Sequence, residues 1–166
     1  MHDDDEQIVP GLRIGPFRLG EAEGPLRARL AGADVKEEER DTIRVLEVGN
    51  VSLFVDGGVV TQVGVHGDHP ARTSDGLRLG MTLREVPGRL VADLFDEVLL
   101  LDGVAGLCFT TDEGLGDVDD DDEYSDEAVL ELPGSDRITW IGVYTPLDEP
   151  LDEPLDEPAL VAVALT

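Results

Sequence analysis

Three stretches carry side chains whose types and spacing could do chemistry. His66-Gly67-Asp68-His69 sets two imidazoles and a carboxylate within four residues. Zinc accepts such donors, but the stretch reads as a linker with no helical spacing to aim both rings at one point, so a solvated loop is expected. Asp117-Val118-Asp119-Asp120-Asp121-Asp122 has the carboxylate density of a calcium loop. It lacks the glycine at the sixth position, and Ala128 stands where the bidentate glutamate belongs, which excludes an EF-hand and leaves at most weak divalent binding. Cys108 lies within Leu107-Cys108-Phe109, an apolar strand pattern in which a buried structural thiol is the default. A nucleophilic Cys108–His66 pair stays open at this level. There is no Gly-x-Ser-x-Gly elbow and no glycine-rich phosphate loop. Carboxylates are too abundant for any one pair to stand out as a glycosidase-like acid and base. The expectation is a chain that is not an enzyme and uses no cofactor or metal.

Binding chemistry is better represented. Trp140 and Tyr144 lie four apart on one strand pattern and therefore share a face. A matching segment earlier in the chain carries Gln62 and His66 at the corresponding positions. Polar counterparts argue that the two aromatics point away from the core, where exposed rings act as binding anchors. The alternative is that Trp140 packs under the acidic loop or against a helix. Asp119, Asp120, Asp121, Asp122, Glu123 and Tyr124 in that loop complete the candidate partner-binding set.

The elements that must position these groups are echoed along the chain. Phe17-Arg18-Leu19-Gly20 recurs as Leu77-Arg78-Leu79-Gly80, and Val60-Thr61-Gln62-Val63-Gly64-Val65-His66 recurs as Ile138-Thr139-Trp140-Ile141-Gly142-Val143-Tyr144. Residues 1–10 read as a disordered acidic lead-in. Residues 21–33 read as a helix with Leu26 and Leu30 on one face, and 35–40 as a charged connector. Strands follow over 42–48, 51–55 and 59–66, joined by Gly49-Asn50 and Asp56-Gly57-Gly58, both strong hairpin turns. In the second half Thr82-Leu83-Arg84-Glu85 fits a capping box, and Leu83, Val86, Leu90 and Leu94 form a stripe at helical spacing, against which Pro87 counts. A hairpin over 97–101 and 105–111, then strands over 128–132, 137–144 and 159–165, complete the pattern. Leu-Asp-Glu-Pro stands three times in tandem within 146–158, which excludes helix and sheet and reads as an extended insertion arising by repeat slippage.

The fold class expected is α+β, a tandem duplication of a short helical segment plus antiparallel sheet. Its first repeat covers 11–68. Its second covers 69–166, with the acidic loop at 112–127 and the proline-rich acidic insertion at 146–158. The run Gly80-Met81-Thr82-Leu83-Arg84-Glu85-Val86 resembles the helix start in the fold shared by β-lactamase inhibitor proteins and small outer-membrane assembly lipoproteins. The resemblance implies a duplicated unit whose sheets grip an enzyme. The first repeat departs from it, with Gly20-Glu21-Ala22 where methionine and threonine belong, and there is no cysteine pair. It implies an acidic protein-binding inhibitor, most concretely an immunity protein that occludes the active site of a cytoplasmically acting bacterial toxin. A non-catalytic structural or assembly factor using the same sheet surface is the alternative.

Charge bounds the partners. Lys and Arg number 12 against 38 Asp and Glu, a net charge of −26. Residues 3–6, 117–127 and 148–157 hold 18 of these acids and no Lys or Arg, so the rest of the chain carries only −8. Solvated acidic runs serve solubility, and a salty environment is a variant of that reading since Lys36 is the only lysine. The functional reading is a basic protein partner, a toxin or enzyme domain. Direct nucleic-acid binding is disfavoured because phosphates would be repelled. Residues 1–6 have neither a basic region nor an apolar run, and no apolar stretch reaches the roughly 18–20 residues that span a bilayer, so a soluble cytoplasmic protein without membrane contact is expected.

Overall fold

The computed structural model describes residues 7–40, 42–93, 98–112, 129–145 and 160–165. The first strands are short: β1 (Ile8–Val9), β2 (Arg13–Ile14) and β3 (Phe17–Arg18) form a small antiparallel sheet. One α-helix, α1 (Glu23–Arg29), follows, and then β4 (Val35–Arg40), β5 (Ile43–Val48), β6 (Val51–Asp56) and β7 (Val59–His66). The second half contributes β8 (Leu90–Asp93), β9 (Val98–Leu101), β10 (Leu107–Thr111), β11 (Val129–Leu132), β12 (Ile138–Tyr144) and β13 (Leu160–Leu165). These build one 10-stranded sheet in the order β11-β13-β8-β9-β10-β12-β7-β6-β5-β4. It is mixed, because β11 runs parallel to β13 while the other neighbours are antiparallel.

The expected α+β class with a repeated helical segment is therefore wrong: the protein is mostly β, with a single α-helix among the described residues. The reason lies at Pro87. The capping box forms, since Glu85 Oε1 accepts the Thr82 hydroxyl at 2.7 Å and the Thr82 N–H at 3.3 Å. Yet the turn it opens runs only over Leu83–Glu85 as a single 3-10 turn. A residue before proline is driven out of the helical region, and Val86 sits at φ −62°, ψ 128°. Leu90, placed on a helical stripe by its spacing, instead enters β8, where Leu90 and Ala92 alternate inward as a strand requires. The second correction concerns 35–40, expected as a connector. These residues are edge strand β4, paired along their whole length with β5. Arg27 holds Glu37 at 2.9 Å, which ties this strand to α1.

The hairpins of the first half fall where their turns demand. Gly49 (φ 58°) turns β5 into β6, and Gly57 and Gly58 (φ 62° and 83°) turn β6 into β7. One face of the large sheet carries the core. Leu46, Leu53, Val63, Val65, Leu99 and Phe109 are buried there with Ile141 and Val143. Leu26 of α1, Ile8 and Ile14 of the small sheet, and Leu77 and Leu83 of the connecting segment pack into the same cluster.

The sequence echo has a defined place in this sheet. β7 and β12 are adjacent and antiparallel, with Gly64 opposite Gly142, Val63 opposite Val143 and Val65 opposite Ile141. Echoed positions thus straddle a local pseudo-two-fold axis. The straps leading into the two strands match bond for bond. Gly20 N–H donates to Val60 O at 2.7 Å, and Gly80 N–H to Ile138 O at 2.8 Å. Glu23 N–H donates to Gly58 O and Leu83 N–H to Asp136 O, both at 2.9 Å. Strands β4-β5-β6-β7 of one half correspond to β8-β9-β10-β12 of the other, and β11 and β13 are additions to the second.

Candidate functional site

The register of β7 and β12 creates the site. Thr61 is bulged between Val60, which pairs with Val55, and Gln62, which pairs with Phe54. Thr139 is bulged at the equivalent point, between Ile138 and Trp140 opposite Thr111 and Thr110. One extra residue re-aims every side chain beyond it. Val60, Val63 and Val65 consequently face the core together with Ile138, Ile141 and Val143. Gln62, Gly64 and His66 turn to the opposite face, as do Trp140, Gly142 and Tyr144. Across the two strands His66 pairs with Trp140, Gly64 with Gly142 and Gln62 with Tyr144.

Trp140 lies over the central glycines. A Cβ on Gly64 would stand 2.5 Å from Trp140 Nε1, and one on Gly142 would also collide with the ring. Glycine at both positions lets the indole rest on the backbone of two strands. Trp140 also lines a groove of about 500 Å³. Val98 and Leu100 of β9 form its apolar wall, their neighbours Leu99 and Leu101 pointing into the core. Tyr144 continues the aromatic side, Cys108 lies on the floor, and Gln62 and Asp93 are polar lining groups. Asp93 is the cross-strand partner of Val98. Among the described lining residues Asp93 is the one charged group.

The candidate groups distribute unevenly. Trp140 and Tyr144 meet in this groove, both half-buried on the face away from the core. Asp119, Asp120, Asp121, Asp122, Glu123 and Tyr124 lie outside the described residues, as do residues 1–6 and the Leu-Asp-Glu-Pro segment. His66 and Cys108 are not brought together as a nucleophilic pair: His66 lies opposite Trp140 and Cys108 opposite Gly142, and the Trp140 ring covers Gly142 and Gly64 between them. Cys108 is buried and accepts the Gln62 amide at 3.9 Å. Asp68 accepts from Asn50 at 2.8 Å and His69 Nδ1 accepts the Ala71 N–H at 3.1 Å, so both brace the turn after β7. No group of three or more metal-ligating side chains is placed to hold an ion among the described residues.

Sequence reasoning missed Asp93, Val98 and Leu100 as site residues. One signal bore on the groove: glycine recurs at the same place in both echoed strands, and glycine inside a strand marks a close approach. Two carboxyls elsewhere are displaced from their ordinary range. Glu23 is held low, first by its hydrogen bond from Arg27 and further by Arg44 at 3.0 Å. Asp136 is 8% exposed with no partner for Oδ2 among the described residues, and burial together with the charge of Asp112 pushes its carboxyl up.

The fold and groove define a mostly-β protein with an aromatic-lined hollow on the sheet face opposite its core. No family model, no curated protein and no solved structure matches the chain. No helix among the described residues is long and apolar enough to cross a membrane.

Proposed function

We propose that this chain is an acidic protein-binding inhibitor, most concretely an immunity protein that neutralises a bacterial toxin acting in the cytoplasm. The observation that supports it best is the placement of Trp140 and Tyr144 around one groove on a sheet face, where the equivalent positions of the first half carry Gln62 and His66. Large aromatics held on a rigid scaffold are the residue types that anchor protein interfaces. The net charge of −26 favours a basic target and speeds its encounter. Inhibition would work by occlusion, with the sheet face and the acidic segment containing Asp119–Tyr124 covering a basic catalytic cleft.

The test is co-expression with the product of the adjacent gene, read as survival of the host, with the purified pair examined by calorimetry. A one-to-one complex is expected whose association rate falls with salt while its dissociation rate changes little. Failure to bind or to protect against that product sinks the inhibitor reading.

A further inference from the structure

The layer that covers the core carries a second surface, on its side away from the large sheet. Arg78 bridges Arg72, Arg72 bridges Gln7, and β1, β2 and β3 continue the row. Ile8, Ile14, Ala71, Leu77 and Leu79 belong to the core cluster. By strand alternation Gln7, Arg13, Arg18, Arg72 and Arg78 therefore lie on the outer face. There Arg72 stands directly opposite Arg78, and Arg13 directly opposite Arg18. Like charges facing each other across strands are destabilising. Two such pairs share one face in a chain where 38 acids accompany 12 bases. Arg27, Arg29, Arg40 and Arg44 each hold a glutamate within 3.2 Å. Arg18, Arg72 and Arg78 are exposed and form no ion pair with a described residue. Arg13 is already engaged, donating to Gly15 O and Gln7 Oε1, both at 3.0 Å. Arg78 reaches only Leu79 O at 3.5 Å, and Glu85 nearby accepts from Thr82 instead.

We propose that this outer face docks an extended acidic segment of a second protein, whose carboxylates pair with Arg72 and Arg78 at one end and with Arg18 at the other. The two arginine pairs lie roughly 15 Å apart, three strand spacings and a small offset along the strands. A single carboxylate or phosphate cannot meet both, whereas about five residues of extended chain span the gap. Guanidinium forks bind carboxylates in pairs of parallel hydrogen bonds, and each one bound relieves the repulsion within an arginine pair. Leu12, 51% exposed, stands in the turn between β1 and β2, and Val9 lies half-buried on the same face. These offer apolar contact to side chains of a protein. A single-stranded nucleic acid would instead need exposed rings for its bases to stack on, and a polyphosphate backbone is repelled by the net charge of −26. This partner is distinct from the basic target proposed above, and the assignment does not rest on inhibition. The outer face and the Trp140 groove lie on opposite sides of the core, so both can be occupied together.

The full chain is titrated into a rhodamine-labelled oligoglutamate peptide and, separately, a thymidine oligonucleotide of equal charge, both read by fluorescence anisotropy. About 0.1 M salt shortens the reach of distant acids to about 10 Å while leaving direct pairs in force. Saturable one-to-one binding of the peptide is expected, with the oligonucleotide weaker. The double variant Arg72→Gln/Arg78→Gln should weaken the peptide roughly tenfold or more, and Arg18→Gln several-fold. Arg40→Gln, whose guanidinium holds Glu38 elsewhere, should leave binding unchanged. Circular dichroism checks that each variant folds, and the double variant should be no less stable than wild type because a repulsive pair is gone. Absence of saturable peptide binding overturns the proposal, as does equal weakening by Arg40→Gln and by the double variant. An oligonucleotide that binds as tightly as the peptide overturns the choice of a protein partner. Peptide binding that emerges only when Asp3, Asp4, Asp5 and Glu6 are made amides overturns it in favour of the chain's own acidic run. A wild-type dimer that the double variant dissolves overturns it in favour of a second copy.

Discussion

Replacing Gly64 with alanine tests the seating of Trp140 most directly. The new Cβ would stand 2.5 Å from Nε1, whereas ordinary contacts lie at 3.4–4 Å, so the indole must rise by about 1 Å. A lift of that size forfeits roughly a quarter to a half of the ring's dispersion contacts with the backbone beneath it. Overpacking of this kind costs about 1–3 kcal/mol. Alanine is otherwise the better residue within a strand, by roughly 0.5–1 kcal/mol over glycine. Gly64→Ala should therefore destabilise the wild type and be neutral or slightly stabilising once Trp140 is alanine. The assay is urea unfolding of wild type, both single variants and the double, followed by far-ultraviolet circular dichroism. The expected coupling is about 2 kcal/mol. Equal costs of Gly64→Ala in the two backgrounds, within about 0.5 kcal/mol, would refute the seating of the indole on the glycine pair.

Other positions give independent checks. Asp136→Asn should raise the urea midpoint at pH 7, because burial and the charge of Asp112 penalise the ionised carboxylate in the folded state. Since the folded-state pKa is raised above the ordinary 3.8, wild type regains this stability as pH falls through the raised value, so the gap between the two proteins should narrow on acidification. Thr82→Ala should lower Tm by roughly 2–4 °C, as loss of a cap does in a domain of this size. Thr82 holds the Glu85 carboxyl below its ordinary 4.5, so the stabilisation is present above that pH and lost as pH falls through the depressed value; a scan of Tm against pH for the variant should lack that acid-side loss. Phe109→Ala should cost about 3–5 kcal/mol by chemical denaturation, because the ring is fully buried near the middle of the sheet.

What could be read from the chain follows from how local the deciding interaction is. The hairpins over 43–66 were legible because Gly49-Asn50 and Asp56-Gly57-Gly58 dictate their turns within a few residues. The stripe Leu83, Val86, Leu90 misled because three- and four-residue spacing also arises by chance, and a single proline outweighed it. β4 was illegible for a different reason. Lys36-Glu37-Glu38-Glu39-Arg40 has no apolar alternation, and only pairing with β5 makes it a strand. The direction of Trp140 could be argued from Gln62, its polar counterpart. Asp93 and Leu100 could not be placed beside it, because which face a strand residue takes depends on register across β8, β9, β10 and β12, with a bulge at Thr139 intervening.

The two halves also end differently, and that difference bears on solubility. β4 leaves one side of the sheet open to any passing strand, but its run of charged side chains makes such docking costly. Its counterpart β8 reads Leu-Val-Ala-Asp and has almost no such guard. β13 and β11 cover it, bringing the last described strand of the chain back to shield the second half. The C-terminal strand β13 thus moves the open edge of the second half from β8 to β11, whose one charged residue is Glu131. A chain shortened after Tyr144 would keep every strand of the central pseudo-two-fold yet strip β8 and β11 of the strand between them, and should form higher oligomers more readily than the full chain.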